Sequence, residues 1–194
     1  MTYRASKDSG FTFIELMIVF VVLILLLVMV APAFQQMILS NRMVSEVYTL
    51  RATLNAARSE ALTRRAPVVV CPTANGQDCI ADTVSWQQGY MVFVDDNNDN
   101  APDPANPNEE RLQFNTPEIA MDIVFSNGNR RVRFDPSGDA TGFQGIFVFC
   151  DQRGQNFARG LILTPVGAVR AATDTDEPAD EIVNDADDNN ISCT

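Results

Sequence analysis

Residues 11–34 read FTFIELMIVFVVLILLLVMVAPAF, and as far as Pro32 the only charge in this run is Glu15. Twenty-odd residues at about 1.5 Å each span roughly 30 Å, the thickness of a hydrocarbon core, so the segment is expected to be a helix that crosses a membrane. Arg4 and Lys7 precede it and the acidic bulk of the chain follows it. By the positive-inside rule the N-terminus then lies in the cytoplasm and the rest outside. An ordinary secretory signal is cut after its apolar core, at small residues. Here the candidate processing point is the junction of Gly10 and Phe11, before the core, so the apolar segment would survive in the mature chain. A simple single-pass anchor gives no reason for Glu15. A carboxylate in hydrocarbon costs on the order of a few kcal/mol unless it is paired, snorkels or takes up a proton.

The full length of 194 residues leaves room for one domain besides the anchor. Net charge is −11, and removal of residues 1–10 takes away Arg4, Lys7 and Asp8, leaving 12 basic against 24 acidic side chains, or −12. All remaining bases are arginine. So acidic a chain repels polyphosphate as a whole, and nucleic acid binding would need a local basic patch. The chain contains no His, which removes the commonest general base and metal ligand. With no nucleophile motif and no phosphate-cradling glycine loop either, catalysis is not expected. Cys71, Cys79, Cys150 and Cys193 all follow the apolar segment. An even count in a translocated chain points to two disulfides, for which three connectivities exist. We expect Cys71–Cys79, bracketing the turn-like run PTANGQD, and Cys150–Cys193, fastening the C-terminus to a strand. In the loop-entropy model, closing loops of about nine and about 44 residues stabilises by about 2.6 and about 4 kcal/mol.

Beyond Pro32, which is expected to kink or loosen a helix, residues 35–65 contain neither Gly nor Pro. Met43, Val47, Leu50, Leu54, Ala57 and Ala61 recur at spacings of three and four, one face of an amphipathic helix over 35–66. Arg51, Arg58 and Arg65 lie on another side. After Pro67 the texture changes to short β-rich runs: 68–71, 90–94, 111–114, 123–125, 131–134, 146–150 and 161–164. In 131–134, Val132 and Phe134 should face inward and Arg131 and Arg133 outward. The Phe147, Val148, Phe149 run suits a central strand. Turns are read at Asn127–Gly128, Ser137–Gly138 and Pro165–Val166–Gly167. The expected fold is α+β: a long N-terminal helix packed on a mostly antiparallel sheet or a pair of sheets. Residues 173–190 hold eight acids and no base, and read as a mobile acidic loop tied down only by Cys193.

The N-terminal GFTFIEL resembles the class III signal of type IV prepilins and pseudopilins, with glycine, aromatic, threonine and glutamate in fixed order. Further on, LRATLNAARSEALTRRAPVVVCPTANGQDC, SWQQGYMVFVDDNNDN, EERLQF, RFDPSGDATG and ARGLILTPVGAVR are similar to the soluble region of the GspH/FimT/FimU group of minor pilins and pseudopilins. The resemblance covers most of the chain and fades after Arg170. It implies a pilin ladle: a leader over 1–10 that is cleaved, a transmembrane and assembly helix over 11–34, its amphipathic continuation over 35–66, and a periplasmic or extracellular β-rich domain over 67–194. It also implies that a prepilin peptidase cuts after Gly10, a position whose backbone must be approached closely, and methylates the new amine of Phe11. Glu15 would then pair with the Phe11 amine of a neighbouring subunit.

Two further sets of residues are candidates for binding. Asp95, Asn97, Asp99 and Asp103 alternate like the oxygens of a calcium loop, although Asn100 stands where glycine is expected and Asn106 where glutamate is. The same stretch also reads as a solvated hairpin excursion. Arg130, Arg131 and Arg133 form a local basic cluster, with Arg153, Arg159 and Arg170 as further arginines. The DNA-binding branch typified by FimT carries a Gly-Arg-x-Arg motif; the matching positions here are Gly167, Ala168, Val169 and Arg170, so the first arginine is absent.

The function implied is that of a minor type IV pilin, a structural subunit that helps prime a pilus and sits at its tip. The alternatives are a DNA-binding minor pilin for natural transformation and a GspH-like pseudopilin of a type II secretion system. Partners implied are other minor pilins, the major pilin, the prepilin peptidase and an inner-membrane assembly platform. The protein would pass from the bacterial inner membrane to the extracellular pilus, with no cofactor unless calcium.

Overall fold

The computed structural model describes residues 11–80, 86–117, 121–126 and 130–193, and the side chains of Met29, Pro32 and Ala33 are outside that description. The Gly10 side of the cleavage junction and the turn at Asn127–Gly128 therefore fall outside the described residues, whereas the backbone at Pro32, where a kink is expected, is helical. The chain forms two compact units, Met1–Asn41 and Arg42–Thr194. One helix, α1 (Phe13–Arg64), contributes to both.

In the first unit α1 begins with a reciprocal cap. The Glu15 N–H donates to Thr12 Oγ1 at 3.2 Å, and the Thr12 N–H donates to the Glu15 carboxylate at 3.4 Å. This is the Thr-x-x-Glu capping box, which satisfies two amides that the first turn leaves without partners. Every side chain over 11–28 is exposed.

In the second unit the predicted stripe is the buried one. Met43, Leu50, Leu54, Ala57 and Ala61 are at most 1 % exposed, with Val47 packed beside them. The helix stops at Arg64 because Arg65 turns into the left-handed region (φ 54°) and Pro67 cannot continue it. Among the described residues eight strands follow: β1 (Val68–Pro72), β2 (Tyr90–Val94), β3 (Arg111–Asn115), β4 (Asp122–Phe125), β5 (Val132–Phe134), β6 (Gly145–Cys150), β7 (Arg159–Leu163) and β8 (Val169–Ala171). They make two four-stranded sheets, ordered β3-β2-β1-β5 and β4-β6-β7-β8, with every pairing antiparallel.

Alternation along each strand divides the apolar residues between two faces. Val68, Val70, Tyr90, Val92, Val132 and Phe134 of the first sheet meet Ile123, Phe147, Phe149, Leu161 and Leu163 of the second, together with the α1 stripe, in one core. Trp86, in a 3-10 turn before β2, packs edge-on against Phe147 with centroids 4.7 Å apart, and Phe125 stacks on Phe147 at 4.2 Å. The opposite faces are apolar as well. Val69, Cys71, Met91 and Phe93 form a second cluster on the first sheet, joined by Cys79. Ile146, Val148, Cys150, Ile162 and Ala172 form a third on the second sheet, joined by Val183, Ile191 and Cys193.

Both disulfides serve these outer faces. Cys71 pairs with Cys79 and Cys150 with Cys193, with Cα atoms 5.6 and 5.8 Å apart, and each bond ties an excursion of chain over a sheet. The acidic C-terminal segment is thus not held by Cys193 alone. Val183 and Ile191 are buried in the third cluster, and Asn184, 1 % exposed, donates to Asp176, to Asn190 and to the Asp188 carbonyl. The acids of this stretch remain at the surface while its sparse apolar residues anchor it.

Replacing Cys150 and Cys193 together by Ser should therefore cost stability through the long loop. The loop-entropy model gives about 4 kcal/mol for this pair and about 2.6 kcal/mol for a Cys71→Ser, Cys79→Ser double variant. Urea unfolding of the full chain in detergent, with the midpoints of the two double variants set against the wild type, checks both the sizes and the order.

Candidate functional site

Three constellations could carry function: the start of α1, the arginines around β5, and the turns that meet near Arg58. At the start of α1, the exposed apolar surface runs unbroken from Phe11, 86 % exposed, to Val28, 69 % exposed. A contiguous apolar surface of this extent marks a site of interaction with protein or lipid. Glu15 is the one carboxylate within it, and in the isolated chain its acceptor capacity goes to the Thr12 amide. That role was readable from Thr12-x-x-Glu15 itself. Among the described residues no helix is long and apolar enough to cross a membrane.

Arg131 and Arg133 point away from the core as expected, but onto a loop instead of into water. Arg133 donates to Asn98 Oδ1 at 2.5 Å and to Asn100 Oδ1 at 3.4 Å, and lies 3.6 Å from Asp95 and 3.4 Å from Asp135. Arg131 donates to the Asn100 carbonyl. Two of the candidate DNA-contact arginines therefore meet the candidate calcium loop, through Asp95 among the four predicted ligands and through Asn98 and Asn100 beside them. Within the loop, Asp95 accepts the Asn100 N–H, Asn97 the Asp99 N–H, Asp99 the Ala101 N–H and Asp103 the Ala105 N–H. Among the described residues, the group of acids whose carboxylate oxygens lie within 4.8 Å of one another is Asp174, Asp176 and Asp180, not Asp95, Asp99 and Asp103. All three acids already accept from nearby donors: Asp174 from the Asp176 and Glu181 amides, Asp176 from the Asn184 amide group, and Asp180 from the Ile182 amide and the Asn190 side chain.

The other arginines are placed separately. Arg170 lies on β8 of the second sheet, opposite Ile162. Arg153 is locked to Asp151 at 2.6 Å and its guanidinium stands 4.6 Å over the Phe157 ring. Burial alone would raise the Asp151 carboxyl, yet the Arg153 hydrogen bonds hold it below the usual carboxylate range. Between the Cys71–Cys79 loop and the 95–110 loop lies a cleft of about 330 Å3, floored by Met91 and Phe93 and rimmed by Asp103, Glu109 and Arg111. On the core side, burial pushes the Tyr90 phenol up to about 12. Beside it, Thr53, 2 % exposed, accepts from Asn115 at 3.0 Å.

Gly167, the glycine shared with the Gly-Arg-x-Arg pattern, has a structural reason to be glycine. Its φ is +73°, and a Cβ there would stand 2.1 Å from the Gly138 carbonyl oxygen. Two turns, one following β5 and one between β7 and β8, approach at this point. Arg58 of α1 clamps them, donating through Nε to the Gly138 carbonyl at 2.9 Å and through Nη2 to the Val166 carbonyl at 2.8 Å. Both sheets are thus joined to the helix by one guanidinium.

With this geometry in place, the chain can be set against known proteins. The family model described as Type II transport protein GspH matches residues 46–167, and that described as the prokaryotic N-terminal methylation motif matches residues 5–31. The chain belongs to the GspH family of minor pilins and pseudopilins. Membership implies, in general terms, contact with other pilins and processing by a prepilin peptidase. Among solved structures, the type IV minor pilin FimU of Pseudomonas aeruginosa (strain PAO1) is similar in fold, with 18 % identity and a TM-score of 0.50 over 69 % of this chain and 90 % of that one. A second crystal form of the same minor pilin gives 17 % identity and a TM-score of 0.48 over 66 % and 91 %. No curated protein sequence matches the chain.

The clamp makes a testable claim about Gly167. Gly167→Ala should lose about 2–4 kcal/mol, from the strained backbone and the collision with Gly138. Arg58→Met should lose about 1.5–3 kcal/mol, because two carbonyls surrender a charged donor. Thermal unfolding of the full-length variants measures both; a neutral Gly167→Ala would show that the two turns are not in contact.

Proposed function

We propose that this chain is a non-catalytic minor pilin. It enters the inner membrane through residues 11–34 with its N-terminus in the cytoplasm, loses residues 1–10 to a prepilin peptidase, and is then built into an extracellular type IV pilus, at or near the tip. The observation that carries the reading is the fully exposed apolar surface over 11–28 with one acid, Glu15, close to the processing junction. In a filament that surface would be covered by the corresponding helices of other minor pilins and the major pilin, supplied through an inner-membrane assembly platform. Exchange of lipid contacts for helix packing would drive incorporation. Proteolysis frees the Phe11 amine, which methylation leaves charged. Glu15 would exchange its contact with the Thr12 amide for that cation on a neighbour, so neither charge enters the bundle alone.

A second reading, a minor pseudopilin of a type II secretion system, is favoured by the description of the matched family as a type II transport protein. The membrane mechanics are the same; the neighbours differ. DNA binding gains no support from Arg131 and Arg133, which are held by the 95–110 loop.

Gly10→Val should leave an uncut precursor that stays in the membrane fraction, because the peptidase would meet a branched side chain where it approaches the backbone. Glu15→Gln should be cut normally yet recovered in sheared filaments at roughly a tenth of the wild-type level or less, as expected for losing a charged contact of about 1.5–3 kcal/mol. Immunoblots of membrane and filament fractions read both. Normal incorporation of Glu15→Gln would remove charge pairing from the assembly step.

A further inference from the structure

Loop oxygens converge over the outer face of the first sheet, and at their meeting point stand two guanidinium groups. Sheet order explains the meeting. Val68 of β1 pairs with Val94 on one side and Phe134 on the other, so Asp95, one residue past β2, comes beside Arg133 of β5. Val69 pairs with both Phe93 and Arg133, which puts the Arg133 side chain on the same outer face as Phe93. There it reaches Asn98, Asn100 and Asp95, while Arg131 takes the Asn100 carbonyl. Asn98 and Asn100 have left-handed backbones, with φ of 65° and 60°, which turn their oxygens toward the arginines. Asp95 is fully buried, and its Oδ2 has no hydrogen bond, only the guanidinium nearby.

We infer that Arg131 and Arg133 are the resident cations of this loop and hold it through Asp95, Asn98 and Asn100, in place of a divalent ion. The 95–109 loop consequently closes over the sheet without metal. A buried carboxylate requires a counter-charge, and Arg133 supplies it from 3.6 Å. The planar fork serves several oxygens at once, which a lysine cannot do in the same way. The groups a calcium ion would need are otherwise engaged. Asn100, in the place of the usual glycine, gives its side-chain oxygen to Arg133. Glu109, the remaining candidate for a two-oxygen ligand, accepts the amides of Asn97 and Asp103, at 3.3 and 2.8 Å. Arg131 and Arg133 are positioning residues: they hold the loop that walls the cleft over Met91 and Phe93.

The test uses the full chain in detergent, with amide hydrogen exchange over 96–108 and the melting temperature as readouts, each in EDTA and in excess calcium chloride. The wild type should give the same exchange pattern and the same melting temperature in both. Arg133→Gln should speed exchange of the loop amides at least tenfold and lower the melting temperature by about 5–10 °C. Arg133→Lys, keeping charge but not the fork, should fall between them. Arg131→Gln, which removes one contact and leaves Asp95 paired, should loosen the loop with a smaller melting shift, and it decides the matter if Arg133→Gln fails to fold. A wild type that is protected or stabilised by calcium would overturn the inference, because the loop would then hold a divalent ion beside the arginines. Loop amides that stay protected in Arg133→Gln and Arg131→Gln would overturn it equally.

Discussion

Apolar surface has to be covered, and that requirement organises both units of this chain. In the second unit it arises because the strands are apolar on both sides. Phe147 and Phe149 alternate with Ile146, Val148 and Cys150, so the second sheet has two faces to hide. The inner faces cover each other and the α1 stripe. The outer faces are covered by chain with little apolar content of its own, and such chain needs fastening. Two fastenings are covalent, Cys71–Cys79 and Cys150–Cys193. A third is ionic, through Arg131 and Arg133. In the first unit the same requirement is left unmet: the side chains over 11–28 lie open on every side, so the cover has to come from another molecule or a lipid phase.

Charge does the aligning that apolar contact cannot, because hydrophobic burial has no direction. Arg58 joins α1 to a turn from each sheet through two carbonyls. Arg64, at the last turn of α1, bridges Glu60 and Glu110 at 2.7 and 2.9 Å. That pair lies at the surface and steadies the junction more than it stabilises the fold. The buried pair of Asp95 and Arg133 is of another kind. Its atoms are incompletely bonded, with Arg133 Nε as well as Asp95 Oδ2 lacking hydrogen bonds. Removing either partner leaves an uncompensated charge behind, which is costlier than the pair itself is favourable.

Much of this was legible in the sequence, for a physical reason: helix and strand periodicities are local. The spacing from Met43 to Ala61 identified the buried face of α1, and seven of the eight strands follow from short β-rich runs between turn residues. The eighth, β8, was missed because Val169–Ala171 offers three residues with only Val169 buried. Whether the strands form one sheet or two was not readable, since inner and outer apolar positions look alike in a run such as Phe147, Val148, Phe149. The clamp was out of reach for a different reason. Arg58 meets its acceptors 80 and 108 residues along the chain, and Arg133 meets Asn98 35 residues back, contacts that exist only once the sheet order is known. So the calcium-like spacing and the basic cluster were both visible, while their mutual contact was not. The Thr12–Glu15 cap was local and could have been read beside the role given to Glu15 by resemblance.

The GspH family match and the methylation motif place the chain among minor pilins and pseudopilins, and its fold is similar to that of FimU. In the proposed function, an amine produced by cutting, a lone acid a few residues away and an uncovered apolar helix would form one mechanism only when the cut is made. Intact-mass and N-terminal fragment spectra of this polypeptide, isolated from purified filaments, test that most directly. The account predicts a chain beginning at an N-methylated Phe11, two disulfides in place and nothing left of residues 1–10. Assembled protein that still carries those first ten residues would contradict it.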